Sequence, residues 1–244
     1  MSSTIAAIRA ARSFIQPVAS NPYDDERSLE FQFRSRRFAR VQTLLLDIMR
    51  DKGRVEILDL GGTETYWHIG RDFIREHRSR LHITLLNNQH QVVSDRGLFS
   101  TRRESAIDPG LLQEQRFDLV HSNSVIEHVG AWREFELFAD NVRRLAPRYF
   151  VQTPNFWFPY EPHFRFPGFQ YLPRRARAEL LMRYRLGFFN RVASLEEAMD
   201  IVHHHRLLST REMTKLFPDA QMHHEKWIGT SKSIMAVRSR PSQS

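Results

Sequence analysis

The 244-residue sequence predicts an α/β fold in three layers, with helices on both faces of a mostly parallel sheet that ends in an antiparallel hairpin. Three observations carry that expectation. Short leucine and β-branched runs at 55–60 and 81–86 flank a helix-like segment at 64–78, the strand, helix, strand unit of a parallel pair with a right-handed crossover. Two further runs, 117–122 and 148–153, bracket a helical stretch at 131–145. Finally, the runs 220–228 and 232–237 are separated only by Gly229-Thr230-Ser231, which reads as a hairpin.

Residues 1–27, with Pro17, Pro22 and the acidic Asp24-Asp25-Glu26, are expected to form a flexible arm ahead of one domain spanning 28–244. From 28 to 50 the apolar residues Phe38, Val41, Leu45 and Ile48 recur at helical spacing, giving one face to pack on the sheet, and Lys52-Gly53 ends that helix. Val55 to Leu60 is the first strand, closed by Gly61-Gly62. One more short strand is expected somewhere in 95–115. After Thr153 the pattern changes to prolines and aromatics, followed by basic helices, so 154–205 reads as an insertion over the sheet. Ser209 with Glu212 is a capping box opening a short helix to Phe217.

Composition narrows the chemistry. The chain has no cysteine, which excludes disulfides, thiolate zinc sites, iron–sulfur clusters and cysteine nucleophiles, and fits a reducing, cytoplasmic setting. No apolar run approaches the roughly 18 to 20 residues of a membrane-spanning helix. The net charge is +8, and all but four of the 36 basic residues are arginines spread along the whole chain. A nucleic-acid partner and a general arginine preference both account for this charge.

The most informative segment is Val55-Glu56-Ile57-Leu58-Asp59-Leu60-Gly61-Gly62-Thr63, a buried parallel strand ending in an acid and a glycine turn. Ligands of open α/β sheets sit at the carboxyl ends of the strands, and glycine there lets backbone approach a ligand without a Cβ clash. This segment resembles the first motif of class I S-adenosylmethionine-dependent methyltransferases, with Thr63 and Thr65 standing where that pattern has its second and third glycines. A second segment, Phe117-Asp118-Leu119-Val120-His121-Ser122-Asn123-Ser124-Val125-Ile126-Glu127-His128-Val129, resembles the fourth-strand signature of the same superfamily. The resemblance covers about residues 38–238, and Thr153 to Phe164 is similar to a segment of bacterial small-molecule and glycan-modifying members.

That resemblance implies a Rossmann-like, seven-stranded sheet with an antiparallel C-terminal strand, and S-adenosyl-L-methionine as cofactor. It implies that Asp59, Gly61, Gly62 and Thr63 line the methionine and ribose side. Asn87, followed by Asn88, takes the place of the usual ribose-binding acid, and the adenine contact falls near Ser105-Ala106. Ser122 and Asn123 are expected to face the methyl sulfonium.

Methyl transfer to a hydroxyl needs alignment and proton removal, and a neutral imidazole at the mouth of the site suits the second task. His128 and His163 are the two candidates, with Glu127 orienting a histidine or binding substrate. The competing reading has His128 capping its helix and His163 ordering the insertion. Some related methyltransferases place a divalent metal on Glu-x-x-Glu-His plus a later histidine. Ser124 stands at the first of those positions, so no metal is expected on Glu127, His128 and His163. The runs His203-His204-His205 and His223-His224 are expected to face solvent or pack singly. The aromatics from Phe156 to Phe169 read as core under the insertion or as an acceptor wall, and Arg165, Arg174, Arg175 and Arg177 as anion holders or as a solvated helix face.

The resulting expectation is a methyltransferase acting on an oxygen, less readily a nitrogen, of a small-molecule or glycan acceptor. Two alternatives stay open: a nucleic-acid methyltransferase, and a catalytically degenerate binding subunit of the same fold.

Overall fold

The computed structural model describes residues 25–113 and 115–239, so residues 1–24 of the expected arm lie outside the described residues. Helix α1 (Leu29–Lys52) starts where the Ser28 hydroxyl accepts the Phe31 N–H, 3.1 Å away, and ends at Gly53, whose N–H donates to the Met49 carbonyl. Its apolar stripe, Phe38, Val41, Leu45 and Ile48, is fully buried on the sheet, as the spacing predicts.

Strands β1 (Val55–Leu60), β2 (Leu81–Asn87), β3 (Phe99–Arg103), β4 (Leu119–Asn123), β5 (Arg148–Pro154), β8 (Gln221–Trp227) and β9 (Thr230–Arg238) form one sheet in the order β3-β2-β1-β4-β5-β9-β8. β1, β2, β3, β4 and β5 pair in parallel, whereas β9 runs antiparallel to both of its neighbours, β5 and β8. β3 supplies the extra strand expected in 95–115. The alternation along β1 shows how the two faces are filled. Val55 and Ile57 join α1 on one face. Leu58 and Leu60 join α4 (Trp132–Leu145) and α7 (Thr210–Leu216) on the other. Each such side chain contributes about 1.5–3 kcal/mol by leaving water. No helix among the described residues is long and apolar enough to cross a membrane.

One element departs from expectation. The helix expected over 64–78 is broken into α2 (Glu64–Trp67), a 3₁₀ turn at His68–Gly70, and α3 (Arg71–Glu76). Gly70 packs so closely on Phe38 that a Cβ would stand 1.8 Å from the ring, and the turn is the local form that this contact imposes.

The insertion has its own small core. A two-stranded ribbon, β6 (Tyr160–Glu161) with β7 (Phe166–Pro167), leads into α5 (Arg174–Arg183) and α6 (Leu195–His203). Phe164, Phe169, Ala178, Leu181, Ala198 and Val202 pack together there. The capping box is as expected, with Ser209 and Glu212 exchanging side-chain to backbone bonds at the start of α7. Asn155 bridges to Leu208, and the Arg206 N–H donates to the Glu127 carbonyl, which ties the insertion to the carboxyl end of the sheet.

Candidate active site

The carboxyl ends of β1, β2 and β4 meet at the glycine turn. Gly61 sits at φ +71° and its N–H donates to the Leu86 carbonyl at 2.7 Å. Both glycines are demanded by packing within the chain. A Cβ on Gly61 would lie 2.5 Å from Val125, and one on Gly62 2.1 Å from the Asp59 carboxylate. Each glycine thus lets the turn pack closely on a neighbouring side chain while its backbone still borders a cleft.

Three clefts open around this turn. One of about 190 Å³ is lined by Asp59, Gly62, Thr63, Tyr66 and Asn123 among others. A second, of about 420 Å³, runs past Asn87, Asn88, Ser105, Ala106, Ile107 and His128. A third, of about 370 Å³, lies under the insertion between Phe33, Phe158, His163, Trp227 and Lys232. Ser124, held at φ +57° with its hydroxyl donating to Gln152 Oε1, lines all three, and Gly61 and Val125 line the first two. Loop and strand tip therefore lie side by side.

Not every expected residue presents its functional group to these clefts. Ser122 is fully buried and spends its hydroxyl on the Leu60 carbonyl, 3.1 Å away, because it points into the sheet rather than out of its end. Asp59 is buried too, accepting from Trp67 Nε1 at 2.8 Å and from His121 Nδ1 at 2.7 Å. With Nδ1–H given to Asp59, His121 Nε2 accepts from the Tyr66 hydroxyl at 3.1 Å. This buried chain was missed by sequence reasoning, although His121 stands in the quoted fourth-strand segment. Asn87 Nδ2 donates to the carbonyls of Gly61 and Gly62, and its Oδ1 accepts from Gln89 N–H. Asn123 lines the smallest of the three clefts, and its buried Oδ1 has no partner among the described residues.

The candidate bases do meet. The rings of His128 and His163 are 4.7 Å apart and nearly perpendicular, and His205 packs against both. His205 had been expected to face solvent or pack singly; it is instead the third ring of this group. His163 Nδ1 donates to the buried Glu161 carboxylate at 2.7 Å, and His128 Nδ1 donates to the His204 carbonyl at 3.2 Å, which leaves Nε2 of each ring able to accept. Glu127 is fully buried, with Oε2 accepting from Thr153 and Oε1 unpartnered among the described residues.

These surroundings set the protonation states. Burial pushes Glu127 up to about 7, against the pull of His163. Burial, and then the charge of His163, push His128 down to about 4. Burial opposes charge on His163 as well, but the Glu161 bond and the charges of Glu161 and Glu127 outweigh it and hold His163 above the usual histidine value. Glu127, His128 and His163 offer donor atoms within 4.8 Å of one another, each with an outer hydrogen bond that orients it. That is a two-histidine, one-carboxylate set able to hold a divalent transition metal, beyond what the spacing implied.

No protein-family model matches the chain. Two uncharacterized proteins of Mycobacterium tuberculosis, from strains CDC 1551 and H37Rv, are each 38% identical over 58 residues, 24% of this chain and only 20% of theirs. Among solved structures the chain is similar to an O-methyltransferase family protein from Burkholderia thailandensis, with 12% identity, 84% of this chain and 57% of that one covered, and a TM-score of 0.46. It is also similar to the N-methyltransferase NodS from Bradyrhizobium japonicum WM9, with 13% identity, 84% and 97% covered, and a TM-score of 0.42. What decides the fold is the strand order, with β9 reversed between β5 and β8. The chain has a Rossmann-like α/β fold, a seven-stranded, mostly parallel sheet with an antiparallel C-terminal strand.

S-adenosylmethionine is the cofactor that the sequence resemblance implies, and the residues present fit it. The smaller cleft offers the orphaned acceptor Asn123 Oδ1 and the guanidinium of Arg34, complementary to an ammonium and a carboxylate. The adjoining larger cleft is walled by Leu86, Ala106, Ile107, Val125 and Val129, with Asn88, Glu104 and Ser105 at its edge, which suits a flat base and its sugar.

Proposed function

We propose that the chain transfers the methyl group of S-adenosylmethionine to an oxygen, less readily a nitrogen, of a small-molecule or glycan acceptor. The observation that carries this reading is the position of Ser124 at the junction of the three clefts, so that a cofactor in the first two and an acceptor in the third share one boundary. When bound, S-adenosylmethionine supplies an electrophilic methyl on a sulfonium. The chain's own task is to align the acceptor and take its proton.

His163 is suited to that task because it lines the acceptor cleft and Glu161 fixes its tautomer. An acceptor hydroxyl would give its proton to His163 Nε2 as its oxygen bonds to the methyl carbon and that carbon's bond to sulfur breaks, and the Glu161 carboxylate would stabilise the imidazolium that forms. His128, kept neutral, packs against that ring and holds it in place. Phe33, Phe158 and Trp227 wall the cleft against water, and Lys232, lowered to about 8 by burial, places a cation at its side.

Calorimetry with S-adenosylmethionine and S-adenosylhomocysteine tests the reading. We expect saturable one-to-one binding of both, unchanged within about twofold in His163→Ala; His128→Ala, whose ring borders the second cleft, is assayed beside it for transfer. Transfer of labelled methyl to a low-molecular-weight extract, with a chelator present, should fall by about 10²-fold in His163→Ala. An absence of saturable binding would instead support a degenerate binding subunit, and full transfer by both variants would remove histidine base catalysis.

A further inference from the structure

On the other side of the aromatic segment lies a fourth cleft of about 470 Å³, which shares no lining residue with the three already described. Phe156 and Trp157 face it while Phe158 faces the acceptor cleft, so one stretch of chain separates the two. Arg174, Arg177, Arg206 and Arg211 converge on this cleft, against a single carboxylate, Glu212. Glu212 is committed to Arg206 and to the Ser209 cap. Arg174, Arg177 and Arg211 make no ion pair among the described residues.

Several features mark this cluster as incomplete without an anion. Arg174 and Arg177 fall in the first turn of α5, which carries no acidic residue there, so the helix dipole opposes both charges. Burial, and then the neighbouring Arg174, hold the Arg177 guanidinium below its ordinary pKa. Arg177 Nε and Arg206 Nη1 are buried donors without a partner among the described residues. Gln170 adds an independent sign. It is only 6% exposed, its amide nitrogen donates to the carbonyls of Phe156 and Phe158, and its Oε1 is left unpartnered at the cleft wall. Buried polar groups in folded proteins are nearly always paired, so orphaned donors and an orphaned acceptor in one cleft indicate a ligand with both oxyanions and a hydroxyl. Trp157, 66% exposed at the same cleft, offers a flat apolar face beside them.

We propose that this cleft is a second ligand site, for a phosphorylated small molecule whose phosphate oxygens are taken by Arg174, Arg177 and Arg211 and whose hydroxyl donates to Gln170 Oε1. The guanidinium fork matches phosphate geometry, and a dianion neutralises a cluster that the chain itself leaves unbalanced.

Titration with inorganic pyrophosphate and with ribose 5-phosphate at 0.15 M salt, followed by calorimetry, tests it on the full chain. The expected result is one saturable site for each ligand, with ribose 5-phosphate binding about tenfold weaker in Gln170→Leu while pyrophosphate is little changed. Arg174→Gln and Arg211→Gln, at exposed positions, should each raise the dissociation constant about tenfold or more. Arg50→Gln and Arg75→Gln remove the same charge elsewhere and should change it less than twofold. Equal weakening by all four arginine variants would mean a response to net charge alone and overturn the proposal, as would no saturable binding. Tight binding of a single-stranded oligonucleotide that depends on Arg174 and Arg211, with no binding of either small phosphate, would also overturn it and reassign the cleft to nucleic acid. S-adenosylhomocysteine affinity, measured in the same variants, should be unchanged, so failure here is distinguishable from failure of the methyltransferase reading.

Discussion

The Asn87 carboxamide donates to the Gly61 carbonyl at 3.2 Å and to the Gly62 carbonyl at 3.3 Å, lashing the end of β2 to the turn after β1. A carboxylate at this position would turn two attractions into two repulsions, since carbonyl oxygens cannot donate. Asparagine is therefore what this glycine turn requires.

Asn87→Asp should cost about 1–2 kcal/mol of stability at neutral pH, from two lost bonds and the repulsion that replaces them. The deficit should shrink below pH of about 4, where the aspartic acid is protonated and can donate again. Urea denaturation at pH 7 and pH 3.5 checks this, and an unchanged midpoint at both would show that the tie carries no energy.

A second test concerns the pair that seats α1 on the C-terminal hairpin. Arg37 Nη1 donates to Glu225 Oε2 at 2.7 Å, with both side chains almost wholly buried and Ser233 donating to the same oxygen. Arg37→Met should cost about 3–5 kcal/mol, because it strands a buried carboxylate. The double variant Arg37→Met/Glu225→Leu should recover most of that loss. Denaturation of the three proteins in parallel gives the coupling, and purely additive effects would contradict it.

The third prediction concerns pH. His163 is held above the ordinary histidine value, so its favourable contribution to stability is fully present below about pH 6.5 and is lost as pH rises through the raised folded-state value. Catalysis by its neutral form has the opposite trend and should rise with pH through the same value. Glu161→Gln removes the carboxylate bonded to Nδ1, so both the NMR titration of the His163 ring and the activity limb should move to lower pH. A titration that stays in place would show that Glu161 does not set the histidine's basicity.

Much of this was readable in the chain because it depends on near neighbours. Strands buried on both faces leave nearly continuous apolar runs, as at 55–60 and 81–86, and Ser209 with Glu212 announces a helix start by itself. The features that escaped depend on partners far away in sequence. The break at Gly70 is dictated by Phe38 on another helix. Asp59 finds His121 only because parallel pairing of β1 and β4 sets them opposite each other. His205 joins His128 and His163 once the insertion has folded back over the sheet. Glu161 was two residues from a candidate base, but its role depends on the turn that aims both side chains at each other.

The walls of the third cleft come from opposite ends of the described chain, Phe33 and Arg37 from α1, Trp227 and Lys232 from the final hairpin, with the Lys232 ammonium 3.6 Å from the centre of the Phe33 ring. A molecule lodged there acts as a clasp between α1 and the β8–β9 hairpin. Occupancy then resists the separation of these two elements, in proportion to the logarithm of ligand concentration.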